Sequence, residues 1–404
     1  MEQWKTYKLG ELCNIHRGSS PRPIQKYLSS KGQPWVKISD ATAASSRYIS
    51  NTKECIIPEG IKHSVVVTPG TLIVSNSATP GLPKIMNITA CVHDGWLIID
   101  NIKSFVLKEF LYYSFILIRR ELSNQANGSV FQNLKTEIVK NFEIKVPPLT
   151  IQHKIVNILE RIEDKIDTNN SINDNLEQQA KALYKSWFVD FEPFKDGKFI
   201  ESELGQIPEG WRIYTLNELM DIKRGSSPRP IQSYLSETGL KWLKISDATS
   251  CSSPFIYEIQ EHIKSEGLRN TVYLQKGALV LSNSATPGLP KILGIDTCIH
   301  DGWLYFPISK LSNPFMYLMF IKFRENLISQ ANGSVFMNLK TEIVKNLKIA
   351  LPKREIIEQF DLVISSVFNE IRNRTEETMN LSKQRDTLLP KLMSGEIKIN
   401  EIDC

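Results

Sequence analysis

From Thr150 the apolar positions fall at Ile151, Ile155, Ile158, Ile162 and Ile166, pass through Asn169 and Asn173, and resume at Leu176, Ala180, Leu183 and Trp187. From Ile155 the steps alternate three and four, with one extra four between Ile162 and Ile166. A second stripe lies 205 positions on: Ile356, Phe360, Val363, Val367, Ile371, Arg374, Thr378, Leu381, Arg385, Leu388 and Leu392. A three–four alternation sustained this long predicts the seam of a coiled coil. At 1.5 Å per residue, each helix would run roughly 60 Å. Pro147-Pro148 and Pro352 stand just ahead of the stripes, where a helix tolerates proline. The polar centre of the first stripe, Thr168 to Asn175, is either a register-setting layer or a local break.

Such a helix must have its stripe covered. Two of matching length suggest that they pair with each other; the alternative is that each packs on a separate partner or makes a dimer. The order domain, helix, domain, helix then predicts an antiparallel pair with a pseudo-two-fold axis.

Outside the stripes the texture changes to short β-type runs between Gly/Pro/Ser turns. Val65-Val-Val, Leu72-Ile-Val74, Trp96-Leu-Ile-Ile99 and Phe142 to Val146 read as strands. Lys108 to Ser123 has apolar residues at helical spacing. Phe188 to Phe194 and Gly205 to Gly210 read as a turning linker. The predicted class is α+β: two mainly-β domains at 1–146 and 211–351, long helices at 147–190 and 352–393, a linker at 191–210 and a tail at 394–404.

The two domains are copies. Arg17 to Gln25 recurs unchanged as Arg224 to Gln232, and Ser75 to Ile85 as Ser282 to Ile292. Residues 17–42 match 224–249 at 20 of 26 positions, and 125–141 match 330–346 at 16 of 17. Residues 43–74 match 250–281 at only 10 of 32, so the copies have drifted unevenly. Core packing alone would keep apolar character and let polar residues vary. Yet the kept residues are polar, in Gly/Pro loops: Arg17, Ser19, Ser20, Arg22, Lys37, Ser75, Asn76, Ser77, Thr79, Lys84, Asn127, Ser129, Asn133 and Lys135, with Gln132 a further candidate beside them in the first copy. Their counterparts are Arg224, Ser226, Ser227, Arg229, Lys244, Ser282, Asn283, Ser284, Thr286, Lys291, Asn332, Ser334, Asn338 and Lys340; Met337 replaces Gln132. A recent duplication would also leave identity. The functional reading is that both copies bind the same ligand.

The net charge of +5 divides unevenly. Residues 1–146 hold 18 basic and 11 acidic side chains, and 204–351 hold 16 and 12. The stretches that follow are acidic, with 7 against 11 in 147–203 and 8 against 10 in 352–404. A polyanion such as DNA would meet the globular units rather than the helices. The kept residue types hydrogen-bond phosphates and base edges. Arg17, Arg22, Lys37, Lys84 and Lys135 suit phosphate or guanine, while Asn76, Asn127, Gln132 and Asn133 suit adenine.

Catalytic patterns are lacking. There is no GxxxxGK[ST] loop, and no GxGxxG follows a strand. Glu143-Ile-Lys145 has no Pro-Asp partner, and Asn313-Pro-Phe lacks the second proline of an amino-methyltransferase loop. His93-Asp94 and His300-Asp301, each followed by Gly-Trp, form a weak metal signal without further ligands and read as structural or DNA-contacting. The six cysteines have no CxxC spacing, which suits a reducing cytosol. The opening residues carry no signal-peptide pattern, and the apolar run Phe110 to Ile118 is too short to span a bilayer.

Three stretches resemble the specificity subunit of type I restriction–modification systems: Arg17-Gly-Ser-Ser-Pro followed by Pro34-Trp-Val-Lys-Ile-Ser-Asp40; Gly128-Ser-Val-Phe-Gln-Asn-Leu134; and Val146-Pro-Pro-Leu-Thr-Ile-Gln-His-Lys-Ile155 opening a helix. All recur in the second half, so the resemblance covers nearly the whole chain. It implies a cytoplasmic, non-catalytic subunit that binds double-stranded DNA through two target recognition domains. It also implies two methyltransferase subunits docked on spacer helices, with room for two restriction subunits. S-adenosylmethionine, ATP and Mg are then expected only in those partners. The family usually carries dissimilar recognition domains; near-identical ones predict an inverted, interrupted repeat as the site. A rival reading is a coiled-coil scaffold that binds proteins and no nucleic acid.

Overall fold

The computed structural model describes residues 4–43, 46–125, 133–330 and 338–397. The chain divides into two compact units, 1–170 with 378–404 and 171–377. The boundaries fall inside the long helices, Leu149–Phe188 and Arg354–Ser394, so each unit holds one β domain and half of each helix.

In the first unit, Lys5–Lys8 pairs antiparallel with Glu143–Val146 and closes the domain on itself. One five-stranded sheet has the order Asn14–Arg17, Trp96–Asp100, Leu72–Ser75, Pro83–Met86 and Tyr48–Ile49. The other has the order Leu28–Ser29, Glu54–Ile56, Gln33–Val36, Ala90–Val92 and Val65–Val67. Successive strand residues face opposite sides, which sorts the core. Ile73, Trp96 and Ile98 join Val36, Val67 and Val92 in one cluster. Leu72, Val74, Leu97 and Ile99 pack the other way, against Phe110, Leu111 and Phe115 of the helix Lys108–Asn124. That second core also takes Ile155, Val156 and Leu159 from the first long helix and Leu389, Leu392 and Met393 from the second.

The second unit repeats the strand order in both sheets. Even the parallel pairing of Trp35 with Cys91 recurs, as Trp242 with Cys298. Its lower core is more aromatic: Tyr184 and Phe188 meet Trp211, Phe315 and Phe360. The stretch read as a linker contributes to it. Phe191 and Phe194 pack on Trp211 at ring distances of 5.1 and 5.3 Å. Phe199–Ser202 and Gly205–Pro208 form a hairpin, with Gly205 at φ +90°, where an L side chain is strained.

Both long helices are unbroken, including the first through its polar centre. Asn169 is fully buried, and Asn173 donates Nδ2–H to Thr375 Oγ at 3.2 Å. The halves run antiparallel within each unit. Asn173 meets Thr375 where Phe188 meets Phe360 in the second unit. In the first, Glu163 meets Arg385 while Leu159 shares a core with Leu389 and Leu392. Gly395, at φ +75°, ends the second helix in the left-handed conformation usual after a C-cap.

The stripe needs one correction. Val363 is 50 % exposed, and its neighbour Leu362 is 77 % exposed. Ile364 and Phe368 are buried instead. Each helix half packs on a β domain as well as on the other helix, so its buried sector is wider than a two-strand seam and turned from it.

Candidate nucleic-acid interface

Four loops meet at one end of the double-sheet core in each unit. The strand Asn14–Arg17 runs out into Gly18-Ser19-Ser20, and Ala90–Val92 into His93-Asp94-Gly95. Leu72–Ser75 leads to Asn76–Thr79, and Asn133-Leu134-Lys135 precedes the short helix Thr136–Asn141. Backbone hydrogen bonds stitch them together. Gly18 N–H donates to Trp96 O at 2.9 Å, Asn76 N–H to Gly95 O at 2.9 Å, and Leu134 N–H to Asn76 O at 2.7 Å. In the second unit Gly225, Asn283 and Leu339 make the equivalent bonds to Trp303, Gly302 and Asn283, at 2.8, 2.9 and 2.7 Å. Ala78 and Ala285 sit at φ 58° and 57°, an uncommon conformation for a residue with a Cβ, held at the same place in both copies.

Glycine is required where the loops touch. A Cβ on Gly18 would lie 2.2 Å from His93 O, and one on Gly225 2.1 Å from His300 O. A Cβ on Gly95 or Gly302 would lie 2.2 Å from the imidazole Cε1 of the preceding histidine.

The loops carry a charged cluster whose Ser–Arg–Asp core recurs in both units; in the second, Arg224 joins it, donating Nε–H to Asp301 O at 2.6 Å, whereas in the first Arg17 donates to Asn133 Oδ1 at 3.4 Å. Asp94 accepts the Ser20 hydroxyl at 2.6 Å and Arg22 Nη2–H at 2.9 Å. Asp301 accepts Ser227 at 2.7 Å and Arg229 at 3.2 Å. Burial works to raise each carboxyl. It is outweighed by the serine hydroxyl, a backbone hydrogen bond and the arginine, so both sit below the usual carboxylate value. His93 and His300 are pushed down by burial. Each Nδ1 accepts the N–H of the following glycine at 2.8 Å. A proton arriving there would break that bond, so the rings are neutral at pH 7 with the hydrogen on Nε2. In the second unit an open cleft of about 420 Å³ is lined by Ser227, Arg229, Trp242, Lys244, His300 and Asp301.

The residues expected from the sequence fall into three groups. Arg17, Ser19, Arg22, Asn133 and Lys135, with Arg224, Ser226, Arg229, Asn338 and Lys340, are exposed on these loops. Ser20, Lys37, Ser77 and Thr79, with Ser227, Lys244, Ser284 and Thr286, are half-buried. Ser77 bridges to Asn133 and Ser284 to Asn338. Lys37 pairs with Glu54 at 2.5 Å, and Lys244 pairs with Glu261.

The third group is a correction. Ser75, Asn76, Lys84, Ser282, Asn283 and Lys291 are buried, and they hold the loops from within rather than face a ligand. Ser75 Oγ donates to Thr79 O and accepts Leu82 N–H. Asn76 Nδ2–H donates to Asp94 O at 3.1 Å. Lys84 Nζ donates to Ser46 O at 2.5 Å, and burial lowers it to about 8. Lys291 donates to Cys251 O and Ser253 O at 2.6 and 2.5 Å. Asn127, Ser129, Gln132, Asn332 and Ser334 lie outside the described residues. The sequence also undervalued Asp94 and Asp301; their recurrence inside His-Asp-Gly-Trp was the available signal. Among the described residues no group of His, Cys, Asp or Glu is placed to hold a metal ion, and no helix is long and apolar enough to cross a membrane.

The family model "Type I restriction modification DNA specificity domain" matches residues 1–178 and again 208–383, one match per repeat. The chain belongs to this family. It is 27 % identical to the type I restriction enzyme MjaIX specificity subunit of Methanocaldococcus jannaschii, over 99 % of this chain and 95 % of that protein. It is 24 % identical to the HindI specificity subunit of Haemophilus influenzae, over 98 % and 100 %. Its fold is like that of the type I S subunit from M. genitalium, with a TM-score of 0.55 at 16 % identity over 96 % of each chain. As a member, this specificity chain has a non-catalytic role, the recognition of DNA sequence within a restriction–modification complex.

Proposed function

We propose that residues 1–146 and 211–351 are two target recognition domains, each reading one half of a bipartite DNA site, and that the halves are inverted copies of one sequence. One observation carries this reading: Ser20, Arg22 and Asp94 form the same bonds as Ser227, Arg229 and Asp301. Equal reading groups on equal scaffolds recognise equal bases. The inverted sense is the expectation from the chain's order of domain, helix, domain, helix. The contact set is the exposed and half-buried side chains of the loops, with Lys135 and Lys340 as phosphate anchors. The long helices, 147–190 and 352–393, are the spacer on which two methyltransferase subunits dock, with two restriction subunits beyond them. S-adenosylmethionine, ATP and Mg act in those partners, and the complex works in the cytoplasm.

The experiment is selection from a random duplex library by this chain with its modification subunits. An interrupted inverted repeat is the expected product. Two unrelated half-sites would overturn the equivalence of the domains. No enrichment at low salt would overturn sequence reading by this chain.

A further inference from the structure

The loop cluster holds an exposed arginine in the same tethered state in each unit. The Arg22 side chain is 79 % exposed and that of Arg229 75 % exposed, yet each is tethered through Nη2 to an aspartate. The second oxygen of that aspartate is taken by a serine hydroxyl. A free surface arginine samples many rotamers. Here a charge-assisted bond through Nη2 restrains the guanidinium and leaves its other donors facing solvent.

Such a fork could meet a phosphate or a base edge, and the aspartate discriminates between them. A phosphate brought to the guanidinium would also approach the Asp94 or Asp301 carboxylate, and two anions repel. A base edge carries no net charge, so the carboxylate costs it little while holding the donors in line. Lys135 and Lys340 make the opposite case. Both are exposed and hold no ion pair among the described residues, which is the state expected of a phosphate anchor. Among bases, guanine presents two major-groove acceptors, O6 and N7, spaced for the two parallel donors of an arginine.

We propose that Arg22 and Arg229 each read a guanine, one in each half-site, and that Asp94 and Asp301 are positioning residues that orient the two forks. This rests on the reading of both units as DNA-recognition domains. The equivalent Ser–Arg–Asp tethers, with Arg224 as an added neighbour of Asp301 in the second unit, assign the guanine the same place in each half-site.

The test uses the full chain with its modification subunits and the duplex enriched in the selection. Each guanine of the site is replaced in turn by 7-deazaguanine, which removes N7 alone. The wild type should lose affinity about tenfold at one guanine per half-site. Arg22→Ala with Arg229→Ala should bind the natural and substituted duplexes equally well. Asp94→Asn with Asp301→Asn should shrink the difference at that guanine and leave other positions unchanged, which a general loss of fold would not do. Lys135→Ala should weaken all duplexes alike and lower the salt dependence. If Arg22→Ala behaves like Lys135→Ala, the arginine is a phosphate anchor and the proposal fails while DNA recognition stands. If no guanine responds in the wild type, the proposal fails in the same way. If no site is enriched at all, the underlying reading fails first.

Discussion

Glu163 and Arg385, 222 residues apart in the chain, meet at 2.9 Å in the first unit. The Glu163 side chain is only 6 % exposed and that of Arg385 22 %. Asp386 holds a second edge of the guanidinium at 2.8 Å. The pair sits where the first long helix meets the end of the second, beside the apolar core that Leu159 shares with Leu389 and Leu392. Removing one partner leaves a charge with little solvent, whereas removing both does not. Glu163→Ala leaves Arg385 with Asp386 as its one partner and should lower unfolding stability by about 1–3 kcal/mol, and the double change Glu163→Leu with Arg385→Leu should recover most of it. Urea unfolding of the full chain, read by tryptophan fluorescence, checks this. A double variant as unstable as the single one would show that the pair specifies the crossing rather than merely neutralising itself.

The second unit holds its helices differently. Phe360 is fully buried, with ring centroids of Phe188, Trp187 and Phe315 at 4.8, 5.6 and 5.7 Å. No charge replaces this packing if it is lost. Phe360→Ala should cost about 3–5 kcal/mol. Hydrogen exchange should place the loss in residues 171–377 and leave the sheets of the first unit protected. Uniform loss across both units would mean that they unfold as one.

Much of this architecture was legible in the residue pattern. Apolar spacing marked the helix at Lys108, and runs of branched residues marked the strands at Val65, Leu72 and Trp96, because burial imposes period 3.6 or 2 on whatever it covers. The repeat located the loops. The exact buried face of the long helices was not legible, since Val363 and Phe368 are equally apolar and only the second surface, the β domain, selects Phe368. Nor could identity between copies separate Asn76, kept because it ties Asp94 O, from Arg22, kept facing solvent. Both are polar residues in Gly/Pro loops, and burial is a property of the folded chain. The packing role of the Phe188 to Phe194 stretch was not legible for a related reason. Its aromatics lack period because Phe188 closes the long helix while Phe191 and Phe194 reach Trp211 from the turn beyond it.

The close approach of Gly18 to His93 carries a prediction of its own. The atom that a Cβ would strike is a carbonyl oxygen of the backbone, which cannot rotate away. Gly18→Ala must part the Arg17–Ser20 loop from Val92 and His93, breaking the bond from Ser19 N–H to Val92 O at 3.2 Å. The expected stability loss is about 1–3 kcal/mol. The larger effect should be on half-site discrimination, because Ser20 and Arg22 move with the loop. Competition binding between the selected site and a scrambled duplex measures it. Unchanged discrimination would mean that the loop does not carry the reading groups.

The two buried histidines give the recognition loops an acid limit. Burial pushes His93 and His300 below the ordinary imidazole value of 6.5. Between the lowered folded value and 6.5 the unfolded chain binds more protons than the folded one, so stability rises with pH across that window. The contribution is fully present above 6.5 and is lost as pH falls through the window. The charges facing His93 are Asp94 and Asp40, which favour protonation, and Lys37, which opposes it. Those facing His300 are Asp301 and Asp247 against Lys244 and Arg224. Asp94 and Asp301, held below the usual carboxylate value, lose their own contribution only at lower pH. Thermal unfolding should therefore shift down between pH 7 and pH 5.5. His93→Asn with His300→Asn keeps an acceptor for the Gly95 and Gly302 N–H groups but cannot titrate there. Its melting temperature should fall less over the same interval. Parallel pH profiles for the variant and the wild type would place the acid limit elsewhere in the chain.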